Sequence, residues 1–191
     1  MNSELTELRD KTENCKKCEL SRTRNKVVFG EGNENADILI IGEAPGFWED
    51  KEGRPFVGKA GKFLDELFES AGLDRSEVFI ANILKCRPPK NRNPTATEIK
   101  ACTPYLDKQI ELINPKVICT LGNFSTKYIL EKFGLEKEIQ GISKLHGKVF
   151  RVSTIIQQLK IIPVYHPAVA VYDASMKEVL TKDFKIVKEN V

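Results

Sequence analysis

The chain has 191 residues, of which 41% are hydrophobic and 30% charged, a balance that excludes a disordered chain and is long enough to bury a substantial core. Its net charge of +3 is too small to require a nucleic-acid partner, though it permits one if the positive charge is local. The N-terminal stretch MNSELTELRDKTEN is polar rather than signal-like and no apolar run approaches membrane-spanning length, which predicts a cytosolic protein with no membrane partner.

No repeat or low-complexity linker interrupts the chain, so one domain is expected over residues 1–191. High charge with few glutamines suits a thermophile. In chain order, the first chemical signal is Cys15 and Cys18, a C-x2-C pair in a polar segment. A β-rich apolar run follows at residues 37–42 (DILIIG) and breaks into the turn Glu43-Ala44-Pro45-Gly46. Phe63, Leu64, Leu67, Phe68 and Ala71 then form the apolar face of a helix closed by Gly72, before a second run at 78–84 (VFIANIL). Thr95 and Glu98 form a capping box, and the stripe Ile99, Cys102, Leu106, Ile110 and Ile113 predicts the helix it starts.

The third run, 116–122 (KVICTLG), leads into a helix over 124–133 capped by Asn123. Residues 144–153 predict a strand or hairpin, 159–165 (LKIIPVY) a fourth strand, and 174–189 a final helix. The four runs are continuous rather than alternating, as strands buried on both faces should be. Strands alternating with helices predict a parallel sheet covered on both sides, whose ligands bind beyond the carboxyl strand ends. Glu43, Asn82, Asn123 and His166 all fall at that edge.

Five cysteines in a cytosolic chain argue for metal rather than disulfides. Cys15 and Cys18 with the distant Cys86 and Cys102 would close a four-thiolate site, for which zinc and an iron–sulfur cluster both fit the spacing. Cys119, in mid-strand, reads as a small core hydrophobe.

GEAPG at 42–46 with Glu49-Asp50 behind it, GRPFVGKAG at 53–61, NILKCRPPKNRNP at 82–94 and YHPA at 165–168 occur in an order and spacing that, together with the four cysteines, resemble the family 4 uracil-DNA glycosylases. The resemblance spans nearly the whole chain and implies a three-layer α/β/α sandwich around a central four-stranded parallel sheet. It also implies a 4Fe–4S cluster on Cys15, Cys18, Cys86 and Cys102, with Cys119 at no cluster position. The activity implied is monofunctional release of uracil from single- or double-stranded DNA, leaving an abasic site and starting base excision repair.

The uracil pocket implied by the resemblance is Gly42, Glu43, Ala44, Phe56, Asn82 and His166. Phe56 would stack on a flipped base. Asn82 would accept from uracil N3–H and donate to O4, the opposite of what cytosine presents. His166 would donate to O2 as negative charge grows there, which a neutral ring can do. Better-known classes of the superfamily carry an aspartate where this chain has Ala44, so Glu43 is expected to orient water, to stabilise the sugar cation or to exclude the thymine methyl. Asp50 is a weaker candidate, expected in a solvated loop, and His146 is expected at the surface or facing phosphate.

Lys85, Arg87, Lys90 and Arg92 lie in eight residues without an acid, held off helix by Pro88, Pro89 and Pro94, and form a basic patch suited to phosphates. Ala168–Tyr172 is the candidate apolar wedge for the gap left by a flipped base. A monomer is expected, and the 157–164 stretch lacks the aromatic pair of a sliding-clamp ligand. Two rival readings stand beside the enzyme: a non-catalytic iron–sulfur nucleic-acid module related to phage polymerase-associated domains, and a zinc-stabilised hydrolase of another substrate.

Overall fold

The computed structural model describes residues 3–154 and 157–191. Its helices and strands, in chain order, are α1 (Ser3–Glu13), β1 (Glu31–Gly32), β2 (Ile38–Gly42), α2 (Phe47–Glu52), α3 (Lys59–Ser70), β3 (Phe79–Asn82), α4 (Ala96–Ile113), β4 (Val117–Leu121), α5 (Asn123–Lys132), α6 (Ile142–Leu145), β5 (Phe150–Ser153), β6 (Gln158–Val164), α7 (Ala168–Tyr172) and α8 (Met176–Glu189). The strands form one sheet in the order β1-β3-β2-β4-β6-β5. Its centre is the expected set of four parallel strands, β3-β2-β4-β6. An antiparallel strand is added at each edge, β1 on β3 and β5 on β6.

The apolar runs are continuous because successive side chains serve opposite faces of the sheet. Ile38, Ile40, Val117, Cys119, Ile162 and Val164 pack with Leu64, Leu67 and Phe68 of α3 and with Leu180, Phe184 and Val187 of α8. Leu39, Ile41, Ile118 and Ile161 face the other way, against Leu5 and Leu8 of α1, Leu106 and Ile110 of α4, and Ile129 and Leu130 of α5. Two cores on one sheet make the three layers. Truncating a residue such as Leu64, which is fully buried, would cost about 2–5 kcal/mol.

Several boundaries differ from expectation for local reasons. Helix α1 escaped the sequence reading because its buried face consists of Leu5, Leu8 and Thr12 only. Asn123 does not cap α5: Gly122 holds the cap position, and Asn123 Oδ1 accepts from the Ile142 amide at 2.8 Å, fixing the start of α6. Residues 144–153 divide into the end of α6 and the edge strand β5. The final helix is α8, which begins at Met176, and a short helix not expected from the sequence, α7, precedes it, the two separated where Asp173 Oδ1 accepts from the Ser175 amide and hydroxyl at 3.0 and 2.7 Å. The Thr95–Glu98 capping box is present as read, with the Thr95 amide donating to Glu98 Oε2 at 2.9 Å. Among the described residues, no helix is long and apolar enough to cross a membrane.

Candidate active site

The parallel strands end together at a cavity of about 440 Å³. Glu43, Ala44, Pro45 and Gly46 leave β2 along one wall, Asn82 closes β3, Phe56 enters from the α2–α3 connection, and His166 follows β6. Five of the six residues expected in a base pocket therefore line it. The sixth, Gly42, lies directly behind: a Cβ there would collide with Asn82 Oδ1 and approach Phe56 Cζ to 2.7 Å, so the missing side chain lets both groups close on the floor. Asn123 is not among the lining residues. A second groove of about 520 Å³ lies at the opposite strand ends, among Ile110, Pro115, Phe133 and Leu159, and is largely apolar.

Phe56 is held in a conformation few side chains adopt, with φ of 52°. Three features hold it there. Gly61 of α3 presses against the Phe56 carbonyl so closely that any Cβ would overlap it. Arg75 donates to Phe56 O at 3.3 Å and to Pro55 O at 2.6 Å. The same guanidinium is anchored by Glu31 at 3.0 Å and Asp65 at 2.7 Å.

Asn82 is 2% exposed, and its Oδ1 is the one buried side-chain polar atom among the described residues without a hydrogen-bond partner. Such an atom ordinarily finds a partner, because leaving it unpaired costs about 1–3 kcal/mol. At the floor of a cavity, it is an acceptor prepared for a ligand donor.

His166 stacks obliquely on Phe56, with ring centroids 5.7 Å apart. Its Nδ1 accepts from the Ala168 amide at 3.1 Å, so Nε2 carries the hydrogen. Burial pushes the imidazole down to about 4, against the opposing pull of Glu49. The ring is thus a neutral donor at physiological pH. The Glu43 carbonyl accepts from the Leu84 amide at 3.0 Å, while its side-chain carboxylate makes no hydrogen bond to the described residues and burial raises it above the ordinary value.

Glu49 was not singled out from the sequence, yet it lines the cavity. Its Oε1 accepts from the Val57 and Gly58 amides, each at 3.0 Å. Asp50, the weaker candidate expected in a solvated loop, is instead buried and points elsewhere: it is 1% exposed and accepts from the Asn25 amide at 2.9 Å and the Asn25 side chain at 2.5 Å. The two acids diverge because consecutive residues on a helix lie about 100° apart. The only advance signal was the acid pair itself.

The basic stretch separates into unlike roles. Lys85 is no phosphate ligand, being 1% exposed. Its Nζ donates to Asn82 O at 2.9 Å and to Gln109 Oε1 at 2.6 Å. Burial pushes its ammonium down to about 8, against the pull of Cys102 and Cys86. Arg92 lines the cavity while forking onto Glu98 at 2.9 and 2.6 Å, and this pairing holds the Glu98 carboxyl down at about 2. Arg87 is half-buried and donates to Asn91 Oδ1 at 2.7 Å, while Lys90 is exposed. Asn91 and Asn93 join the cavity wall unforeseen. His146 is partly exposed and pairs with the buried Asp183 at 3.0 Å, so it faces a carboxylate rather than phosphate.

Cys15, Cys18, Cys86 and Cys102 come together around one small cavity with Arg24, Lys85 and Tyr105. No group of three or more His, Cys, Asp or Glu among the described residues converges as a single ion requires. The donor set nevertheless fits a thiolate-bound group larger than one ion. The ring is all sulfur, and N–H groups already point at three of the atoms: Lys17 N at Cys15, Arg24 Nη1 at Cys86 and Lys85 N at Cys102, at 3.5, 3.3 and 3.2 Å. Burial raises Cys86 and pushes Cys102 up to about 11, so these two thiols stay protonated until a metal displaces their protons. Cys119 is fully buried in the sheet core, away from this ring.

A family profile described as the uracil DNA glycosylase superfamily matches residues 29–187. The chain is 47% identical over 186 residues to a type-4 uracil-DNA glycosylase of Sulfurisphaera tokodaii, covering 97% of this chain and 84% of the relative. It is 48% identical over 181 residues to that of Saccharolobus solfataricus, covering 94% and 83%. A third, from Archaeoglobus fulgidus, is 46% identical over 175 residues, covering 92% and 87%.

Proposed function

The chain belongs to the uracil-DNA glycosylase superfamily, with type-4 enzymes among its relatives, and we propose that the cavity beyond β2, β3 and β6 is its uracil site. The protein is an N-glycosyl hydrolase that removes uracil from DNA. What carries the assignment of the site is the unpartnered Asn82 Oδ1. A uracil slid over Phe56 offers N3–H to that oxygen and O4 to the Asn82 amide group. Cytosine offers an acceptor and a donor in the reverse places, and the mismatch would bury unpaired groups.

Hydrolysis breaks the bond between uracil N1 and sugar C1′ and adds water at C1′. The bonding electrons leave with uracil, placing negative charge on O2. His166 donates its Nε2–H there, and its neutrality means that no proton transfer is needed to do so. Positive charge grows on the sugar. Glu49, fixed by two amides, supplies a set negative field for it. Glu43, its carboxylate unpaired and raised, is suited to take a proton from the water. The abasic sugar and free uracil, once protonated at nitrogen, complete the balance.

Cys15, Cys18, Cys86 and Cys102 would hold a 4Fe–4S cluster. Bound there, it supplies a cross-link between the N-terminal segment, the loop after β3 and α4. Lys85 joins that corner to the site, because its amide meets Cys102 while its Nζ holds the Asn82 carbonyl. Arg87 and Lys90 are the phosphate contacts, and the exposed Val171 and Tyr172 of α7 are the wedge. Helices on both faces of one continuous sheet support reading the chain as one domain, and we read it as a monomer. The 157–164 stretch is almost wholly β6, paired on both sides, so it offers no free segment to a sliding clamp.

A non-catalytic module is not favoured, since it would leave Asn82 nothing to read. The test is incubation of the purified protein with a strand carrying one uracil. Free uracil and an abasic site in equal amounts are expected, with iron in the same preparation. An intact strand would overturn the reading, and zinc without iron would overturn the cluster.

A further inference from the structure

Large apolar side chains exposed at a protein surface are informative when they cluster. Five such residues are exposed among the described ones: Phe47, Trp48, Val171, Tyr172 and the C-terminal Val191. Val171 and Tyr172 end the helix that starts at the lining residue Ala168, and they border a separate groove with Lys59, Lys62 and Phe63, while Phe47 and Trp48 lie between the cavity-lining residues Gly46 and Glu49. The second pair has no role in the reaction described above.

Phe47 and Trp48 are 50% and 51% exposed. Their rings meet edge to face with centroids 5.2 Å apart. Each carries a cation: the Arg87 guanidinium is 5.2 Å from the Phe47 centroid, and Lys51 Nζ is 5.3 Å from that of Trp48. The pair is also fixed in place. Glu49, the next residue, bonds the Val57 and Gly58 amides, and a Cβ on Gly58 would lie 3.6 Å from Trp48 Cδ1. Half-exposed aromatics with positive charge alongside, rigidly mounted at the mouth of a base-sized cavity, match the chemistry that holds unpaired nucleobases.

We propose that Phe47 and Trp48 form a stacking platform for a nucleobase of the uracil-bearing strand, the one next to the uridine that enters the cavity, with Arg87 and Lys51 meeting its flanking phosphates. The inference rests on the uracil-excision reading and extends it. Withdrawing one nucleotide from a strand strips its neighbour of a stacking partner, and an aromatic face at the rim replaces it. Every base has such a face, so the platform is indifferent to sequence and serves single strands as well as duplexes.

The chain contains one tryptophan, so intrinsic fluorescence reports on Trp48 alone. Two single strands with one uracil each serve as probes, one with thymidines beside the uracil and one with base-free tetrahydrofuran nucleotides there. The first should quench the tryptophan and the second should not. Trp48→Ala should weaken binding and raise KM on the first strand about 5- to 160-fold, the equivalent of about 1–3 kcal/mol for one stacked base, with kcat moving far less. On the base-free flanks the same variant should behave as wild type, since the lost partner is already absent. Trp48→Phe should restore most of the affinity. Equal losses on both strands, an unchanged affinity, or quenching that follows protein concentration without DNA and so marks a second copy as the occupant, would each overturn the platform. Uracil release by wild type is scored separately: its absence sinks the enzymatic reading, while binding and quenching still decide the platform.

Discussion

Replacing Asn82 by alanine should make the protein more stable and less able to recognise its substrate. Asn82 Oδ1 is buried without a partner, and an unmet acceptor of that kind costs the free protein about 1–3 kcal/mol. The variant removes the acceptor. No closed void replaces it, because the side chain borders a cavity of about 440 Å³. The Lys85 bond survives too, since it ends on the Asn82 backbone carbonyl. At about 2–4 °C per kcal/mol for a chain of this size, the melting temperature should rise by about 2–12 °C. Excision should move the other way. A two-point contact to a base edge is worth about 1–3 kcal/mol, so kcat/KM on uracil should fall about 5- to 160-fold. Thermal melts and single-turnover rates on one preparation measure both. A lower melting temperature with a rate within twofold of wild type would refute the assignment of Asn82 to base reading.

His166→Ala should slow single-turnover excision about 10²–10³-fold, the range for one oxyanion-type donor, with DNA affinity little changed. Because the folded ring takes up its proton only near pH 4, the rate should show no inflection near 6.5. In the same window, from about 6.5 down to 4, the unfolded chain binds more protons, so His166 lowers stability as pH falls. Glu43→Gln should slow excision if the carboxylate activates water, whereas an unchanged rate together with thymine release by Glu43→Ala would assign it to thymine exclusion. Cys15→Ala should lower iron content and thermal stability together while Cys119→Ala keeps iron, and full iron retention in the Cys15 variant would overturn the ligand set.

Much of the site could be read in the sequence because of what burial does to a strand. A strand covered on both faces has no polar side, so β2, β3, β4 and β6 stood out as unbroken apolar runs, and the residues at their ends named Glu43, Asn82 and His166. What escaped was set by contacts distant in sequence. Glu49 lies on a helix of six residues, too short for a periodicity to show which acid faces inward. Asp50 looked solvated because its partner, Asn25, is 25 residues away. Lys85 shared a charge pattern with Arg87 and Lys90, and only the fold reveals Gln109 across from it. The edge strands were faint for a different reason: β1 has two residues, and β5 alternates between partly buried and exposed.

One assay tests the central claim most directly. A single strand carrying one uracil, one cytosine and one thymine is incubated with the purified protein, and every released base is identified by mass. A floor built on the unpaired Asn82 acceptor and the neutral His166 donor predicts free uracil alone, matched one for one by abasic sites. Release of cytosine or thymine at a comparable rate, or of no base at all, would contradict it.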